Sequence, residues 1–259
     1  MIGEIKIPES FPSPGAVDGK RVVITGASRG LGALLAHAFS QAGASVALVA
    51  RTERDLKAVA AKLPGRSLVL SGDVTDEDFN EEVADATVSE WGGIDAWICN
   101  AGISPTVAGP RQTDASVWRQ ILEVNLTGAF LGARAAARVM TDGGRLIFTG
   151  SVVGERPRKG LAAYSASKAG VVGVAKGLAL DLAPAGITVN VVAPGWFDSP
   201  LAEGWKNNPK LSAAITGHTA QRRWGAPTEL VGAYQFLVSD ASSFVTGTVL
   251  NVDGGYLLV

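Results

Sequence analysis

The chain has 259 residues, with 23 Lys plus Arg against 24 Asp plus Glu, for a net charge of −1. That balance leaves no basic footprint for nucleic acid or an anionic membrane, and no run of about 18 apolar residues offers to span a bilayer. The single cysteine, Cys99, excludes an internal disulfide or a cysteine-built zinc site, and with only His37 and His218 far apart in sequence no metal site is expected.

Apolar residues make up 47% of the chain, enough for a sizeable core. Residues 1–17 are rich in Pro, Ser and Gly and read as an N-terminal extension, either packed on the surface or mobile. They carry Glu4 and prolines 8, 12 and 14, without a basic stretch followed by an apolar run. A signal peptide is therefore not expected, and the expected compartment is the cytoplasm.

Residues 18–259 read as one domain. Arg21–Thr25 is a short β-branched run stopped by glycine, the pattern of a buried strand. Gly30–Gln41 has helical spacing in Leu31, Leu34, Leu35, Ala38 and Phe39. Ser45–Ala50 is a strand, Glu53–Lys62 a polar-faced helix and Ser67–Ser71 a strand. Thr75, with Asp78 three residues on, resembles a helix-opening capping arrangement for a helix running to about Trp91. Ile94–Ile98 is a strand, and Asp114 to about Met140 is mainly one long helix. Strand Arg145–Gly150, helix Ala162–Leu182, strand Ile187–Val192, helix Pro227–Ser239 and strand Thr248–Val252 complete the series. Short, nearly unbroken apolar strands alternating with helices imply a parallel sheet covered on both faces. The expected fold is α/β, a doubly wound Rossmann-type sheet of about seven strands. The alternation breaks from Trp196 to Trp224, and an insertion of that length is commonly a lid over a site.

Five stretches carry chemistry. After the first strand, Gly26, Ser28, Arg29, Gly30, Leu31 and Gly32 form a glycine-rich turn opening a helix. Such a turn lets backbone amides approach a pyrophosphate, although a tight strand–helix turn without ligand has the same look. An acid at the end of the second strand would hydrogen-bond a ribose and repel a 2′-phosphate. This chain has Arg51 and Thr52 there, with Arg29 nearby, which favours NADP(H) over NAD(H); two solvated surface arginines are the plainer alternative. Asp73 and Val74 follow the third strand and are candidates for adenine contact. Asn100, Ala101 and Gly102 follow the fourth, where small residues let a nucleotide lie close. Finally, Tyr164 and Lys168 are one helical turn apart, with Ser151 upstream. A fixed ammonium beside a phenol is expected to lower its pKa, and a neighbouring hydroxyl to hold a carbonyl oxygen. An ordinary surface turn of helix has the same spacing.

Taken in order, T-G-x-x-x-G-x-G at 25–32, N-A-G at 100–102, Asn125, Ser151, Y-x-x-x-K at 164–168 and Pro194-Gly195 resemble the short-chain dehydrogenase/reductase family of the single-domain kind. The resemblance implies a catalytic tetrad of Asn125, Ser151, Tyr164 and Lys168, with Tyr164 as acid/base. Ser151 would hold the substrate oxygen, Lys168 the nicotinamide ribose, and Asn125 a water relaying protons to Lys168. It also implies nicotinamide contacts at Pro194 and Gly195 and, where many members carry Thr, at Ser199. The implied activity is hydride exchange between nicotinamide and a ketone or secondary alcohol.

The C-terminal stretch is similar to acyl-carrier-protein ketoreductases and to gluconate or sugar dehydrogenases. Carrier-dependent members tend to have Arg where this chain has Leu131 and Ala185, so a small free substrate is expected over a β-ketoacyl thioester. A regulatory protein that binds NADP(H) without turnover is the rival reading. The resemblance implies a homotetramer, with a dimer as the other possibility. The cations Arg156, Arg158 and Lys159 near Ser151 suit an anionic group, but a solvated loop is the simpler reading. Trp196, Phe197, Trp205 and Trp224 suit either substrate cover or lid packing. His218, in the lid, receives no catalytic role.

Overall fold

The computed structural model describes residues 13, 15–104, 107–141 and 143–259. In chain order the elements are β1 (Arg21–Thr25), α1 (Gly30–Gln41), β2 (Ser45–Ala50), α2 (Glu53–Ala60), β3 (Ser67–Ser71), α3 (Glu77–Trp91) and β4 (Ala96–Cys99). They continue with α4 (Ala115–Leu122), a π-helical turn (Glu123–Thr127), α5 (Gly128–Val139), β5 (Gly144–Thr149), α6 (Ala162–Leu182) and β6 (Ile187–Pro194). The short helices α7 (Glu203–Lys206) and α8 (Pro209–Gly217), then α9 (Val231–Val238) and β7 (Val249–Val252), finish the chain.

The strands form one seven-stranded sheet in the order β3-β2-β1-β4-β5-β6-β7, every pairing parallel. Alternation along each strand divides the core into two layers. Val23 and Trp97 face a layer closed by α3, α5 and α6, through residues such as Val83, Ala133 and Val171. Val22, Ile24 and Ile98 face the opposite layer, closed by α1, α2 and α9 through Phe39, Leu56 and Tyr234. The chain reverses direction across the sheet between β1 and β4, so a crevice opens above their C-terminal ends.

The sequence expectations differ from the structure in four places. The extension at 1–17 lies mostly outside the described residues, and its Val17 is fully buried among the residues packed on α1 and α9. The α3 cap is Asp76, which accepts from the Phe79 amide at 3.2 Å; Thr75 instead turns its hydroxyl and amide to Asp73 Oδ1, each at 2.9 Å. Strand β4 starts at Ala96 because Asp95 is drawn aside by a forked ion pair with Arg21, at 2.8 Å for both contacts. The long helix of 114–140 is interrupted by the π-turn, in which the Gly128 amide reaches back to the Glu123 carbonyl. Gly128 permits this close seat, since a Cβ there would lie 2.9 Å from the Val74 carbonyl oxygen. Such one-residue expansions are frequent where a helix side chain must be re-aimed, and Asn125 sits at the centre of this one.

Candidate active site

The glycine turn and the N-A-G segment meet across the crevice. A Cβ at Gly32 would lie 2.3 Å from the Gly26 carbonyl oxygen and 2.8 Å from Asn100 Nδ2, so neither turn nor helix could close with a larger residue. Gly30 has φ +56°, a left-handed conformation open to glycine, and its missing Cβ faces open space. Asn100 holds the turn from below: its Nδ2 donates to the Thr25 carbonyl at 2.9 Å, and its amide and that of Ala101 each donate to Thr25 Oγ1 at 3.0 Å. Asn100 is thus committed to bracing the turn. Helix α1 begins with no side-chain cap and no acid in its first turn. Its first amides therefore remain available to an anion.

Residues Arg29 and Arg51 are exposed and, among the described residues, neither makes an ion pair. They follow adjacent strands, since Thr25 is in register with Val49. Thr52 is exposed beside Arg51. The Asp73 carboxylate is partly taken up by Thr75, and Val74 is buried with its carbonyl accepting from Asn80 Nδ2 at 2.9 Å. Across the sheet, Pro194 ends β6 and Gly195 packs so closely on Asp253 that a Cβ would lie 2.6 Å from its Cα. Ser199 opens the helical turn Pro200–Ala202 without capping it through its side chain. These turns, amides and cations suit the phosphates and nicotinamide end of a dinucleotide.

The four tetrad residues converge at the same end of the sheet. Asn125, only 1% exposed, clamps Ile103: Oδ1 accepts from its amide at 2.7 Å and Nδ2 donates to its carbonyl at 3.0 Å. Nδ2 also donates to Ser167 Oγ at 3.1 Å, and Ser167 in turn donates to the Tyr164 carbonyl at 2.7 Å. Asn125 and Lys168 approach Gly102 together, since a Cβ there would stand 3.4 Å from Asn125 Oδ1 and 3.6 Å from Lys168 Nζ. Lys168 Nζ lies 5.7 Å from the Tyr164 ring centroid and donates to the Thr149 carbonyl at 2.7 Å. Ser151, extended at the end of β5, accepts from the Val153 amide at 3.3 Å and lies near enough to the Tyr164 hydroxyl to oppose the rise in its pKa.

One sequence expectation is overturned here. Lys168 does not pull the Tyr164 phenol down. Burial pushes that phenol up to about 12, and only the Ser151 hydroxyl acts in the other direction. Burial also brings the Lys168 ammonium down to about 8. The Lys168 ammonium is turned to the Thr149 carbonyl, and it is not among the groups that move the phenol. Tyr164 therefore stands protonated at neutral pH, suited to giving a proton to an alkoxide.

Three residues of this network were not singled out from the sequence. Ser167 links Asn125 to the Tyr164 main chain, and its place just before Lys168 was the available signal. Thr149 supplies the carbonyl for Lys168, while its Oγ1 lies 2.8 Å from the Tyr234 hydroxyl and 3.4 Å from Asn100 Oδ1. Tyr234 is fully buried on α9, 85 residues beyond Thr149, and no spacing rule connects them. Cys99, by contrast, is inert core: it is buried, its thiol is pushed up by burial, and its Sγ donates to the Ala129 carbonyl at 3.3 Å.

Above Tyr164 lies the segment between Trp196 and Trp224, folded as α7 and α8 and tied down by the bridge from Phe197 to Gly225. Trp224 Nε1 donates to Ser212 Oγ at 2.9 Å, which anchors α8. Trp196 lies 5.2 Å from Trp205, 5.9 Å from Trp224 and 6.3 Å from Tyr256 between ring centroids. Tyr164, Trp196 and Trp205 all pack on the cluster of Val152, Val153, Leu161 and Tyr256. Of the three loop cations Lys159 is exposed, whereas Arg156 and Arg158 are partly buried against side chains and main chain. Arg158 covers Trp196 at 5.7 Å and Trp205 at 6.0 Å, and donates to the Tyr256 hydroxyl at 3.1 Å. Arg156 donates to the main-chain oxygens of Tyr256 and Val259. His218 is exposed, with Nδ1 against the Ala214 carbonyl at 2.9 Å.

Residues 26–257 match the family model described as enoyl-(acyl carrier protein) reductase. Cis-4-hydroxycyclohexanecarboxylate dehydrogenase of Sinomonas cyclohexanicum is 36% identical over 241 residues, 92% of this chain and 96% of that protein. The 3-oxoacyl-(acyl-carrier-protein) reductase FabG of Escherichia coli (strain K12) is 36% identical over 244 residues, 93% of this chain and 99% of that protein. Among solved structures, a Beutenbergia cavernae chain assigned as an NAD(P)-dependent gluconate 5-dehydrogenase, with NADP bound at low occupancy, superposes with a TM-score of 0.89. It is 33% identical and is covered over 95% of this chain and 100% of that one.

Proposed function

The chain belongs to the short-chain dehydrogenase/reductase family, and from that premise we propose that it is an NADP(H)-dependent oxidoreductase that interconverts a small ketone and its secondary alcohol, with Tyr164 as the acid/base. The observation that carries the reading is a partly buried Tyr164 with Lys168 Nζ 5.7 Å from its ring, at the same end of the sheet as a glycine turn shaped for a dinucleotide.

When bound, the nicotinamide exchanges a hydride with the substrate's carbonyl carbon. Arg29 and Arg51 hold the 2′-phosphate, and the α1 amides hold the pyrophosphate. Pro194, Gly195 and Ser199 line the nicotinamide side. Ser151 donates to the substrate oxygen and fixes its distance from Tyr164. In reduction Tyr164 gives its proton to the nascent alkoxide; in oxidation its phenolate takes the alcohol proton. Lys168, near its own titration point, passes a proton back toward Tyr164, and Asn125 keeps the Ile103 segment in place around it. An unpaired Arg29 and Arg51 favour NADP(H), and the NADP carried by the Beutenbergia cavernae relative is in keeping with that choice. No helix of the described residues is long and apolar enough to cross a membrane, and we assign the reaction to the cytoplasm. Exposed Phe130 on α5 and Leu180 on α6, at 38% and 80%, suit a homotetramer built on these helices.

The test is oxidation of NADPH and NADH, side by side, on ketones, keto acids, keto-sugars and a β-ketoacyl thioester, with Arg51→Asp alongside. Turnover preferring NADPH, with the preference shifted toward NADH in Arg51→Asp, is expected. Equal or better use of NADH by the unaltered enzyme would contradict the cofactor reading. Preference for the thioester would contradict a small free substrate.

A further inference from the structure

We propose that the substrate is an acid, and that Arg158 binds its carboxylate inside an aromatic box made by Trp196, Trp205 and Tyr256. This deepens the oxidoreductase reading, because it assigns the substrate class of the same site.

The argument rests on how differently the two loop arginines are used. Arg156 spends its donors on main-chain oxygens at Tyr256 and Val259 and covers the Tyr256 ring at 5.5 Å, so it fastens the chain's last residues to the loop. Arg158 makes one hydrogen bond, to the Tyr256 hydroxyl at 3.1 Å, and among the described residues it has no carboxylate partner. A guanidinium has five donors in a fixed fork. Most of that fork is left over, and it is half-buried against two indole faces that supply no counter-charge. Packing on rings fixes the fork's plane and cuts the entropy lost when it grips a ligand.

The box is also adjacent to the chemistry. Tyr164, Trp196 and Trp205 share the cluster built on Val152, Val153, Leu161 and Tyr256, so a body packed on the indoles lies next to the acid/base. Trp196 Nε1 is buried and, among the described residues, meets no acceptor, so the Trp196 ring is held by packing alone. Apolar rings and a planar cation with unused donors together suit a carboxylate carried on a compact ring or short hydrocarbon body, with its carbonyl held by Ser151 and Tyr164. A neutral ketone or a neutral sugar would leave the fork without a counter-charge.

Quenching of tryptophan fluorescence by benzoate and by benzamide tests this without turnover, so its outcome is separate from that of the oxidoreductase reading. The two probes share a ring and differ in charge. Benzoate is expected to bind at least about tenfold more tightly than benzamide, the scale of one charge-assisted fork. In Arg158→Gln that ratio is expected to fall to within about threefold of unity, while Lys159→Gln, which removes a cation from the same loop, keeps it. If Arg158→Gln does not fold, Arg158→Lys decides, since a point charge without the fork is expected to reduce the ratio at least about threefold. Equal binding of the two probes, no binding of either, a ratio unmoved by changing Arg158, or one lost equally in Lys159→Gln would each overturn the proposal.

Discussion

Two regions meet at Tyr164 and are built on opposite plans. Below it, from the glycine turn to Lys168, polar side chains answer main-chain atoms: Asn100 to Thr25, Asn125 to Ile103, Lys168 to Thr149. Above it, from Arg158 to Tyr256, side chains answer rings. Main-chain partners are fixed by the sheet, so the lower region is pre-organised and tolerates little change. Ring contacts are broad and non-directional, so the upper region can be resized while the chemistry stays in place. One scaffold can therefore keep a common proton-transfer site under varied substrate rooms.

The comparison predicts the size of each effect. Tyr164→Phe removes the proposed acid/base where both regions meet, and is expected to lower kcat on the order of 10³-fold. Steady-state rates on the best ketone check this; a loss under about tenfold would move the proton donor elsewhere. Gly32→Ala drives a methyl into the Gly26 carbonyl and should cost on the order of 2–3 kcal/mol, read as a lower Tm and a weaker cofactor Kd. Gly173→Ala, where the Cβ meets nothing within 4 Å, serves as its silent counterpart.

The pH dependence separates the two directions of reaction. With the phenol at about 12, its base form grows tenfold with each pH unit below that value. Alcohol oxidation should therefore rise about tenfold per unit from about pH 7 to about pH 10 at limiting substrate, while the Tyr164 limb leaves ketone reduction flat. A plateau in oxidation near pH 7 would mean a phenol already ionised. Tyr234→Phe should be smaller, about 1–2 kcal/mol of stability from the lost bond to Thr149. If the Thr149 strand end positions Lys168, it also shifts the Lys168 limb near pH 8; an unmoved limb would confine Tyr234 to packing. Asp95→Asn tests the fold alone. Burial raises that carboxyl, but the Arg21 hydrogen bonds outweigh it and hold the folded value below the ordinary one. Its contribution is present above an unfolded pKa of about 4 and fades as pH falls through the lower folded value. The variant should lose about 2 kcal/mol at neutral pH and less in acid, by denaturant unfolding.

The lower region was largely legible in the sequence because its residues are tied to local geometry. A strand ending in Gly26, a helix opening at Gly30 and a Tyr–Lys pair four apart each make a pattern that survives without tertiary context. The strands were legible for the same reason, through β-branched runs between glycines. The π-turn at Asn125 was hidden because a one-residue expansion leaves no composition mark inside an amphipathic helix. The phenol's raised pKa was hidden because spacing reports which charges are near and says nothing of how dry they are. Tyr234 and the ring-stacked Arg158 were out of reach because partners 85 and 98 residues away are joined only by the fold.

The most direct test of the account is transfer of deuterium from NADPH carrying deuterium at both C4 positions to a ketone, followed by mass spectrometry in unaltered enzyme and Tyr164→Phe. The account predicts deuterium on the carbinol carbon of the product, formed on the order of 10³-fold more slowly by the variant. Product without label, or labelled product formed equally fast by both proteins, would contradict it.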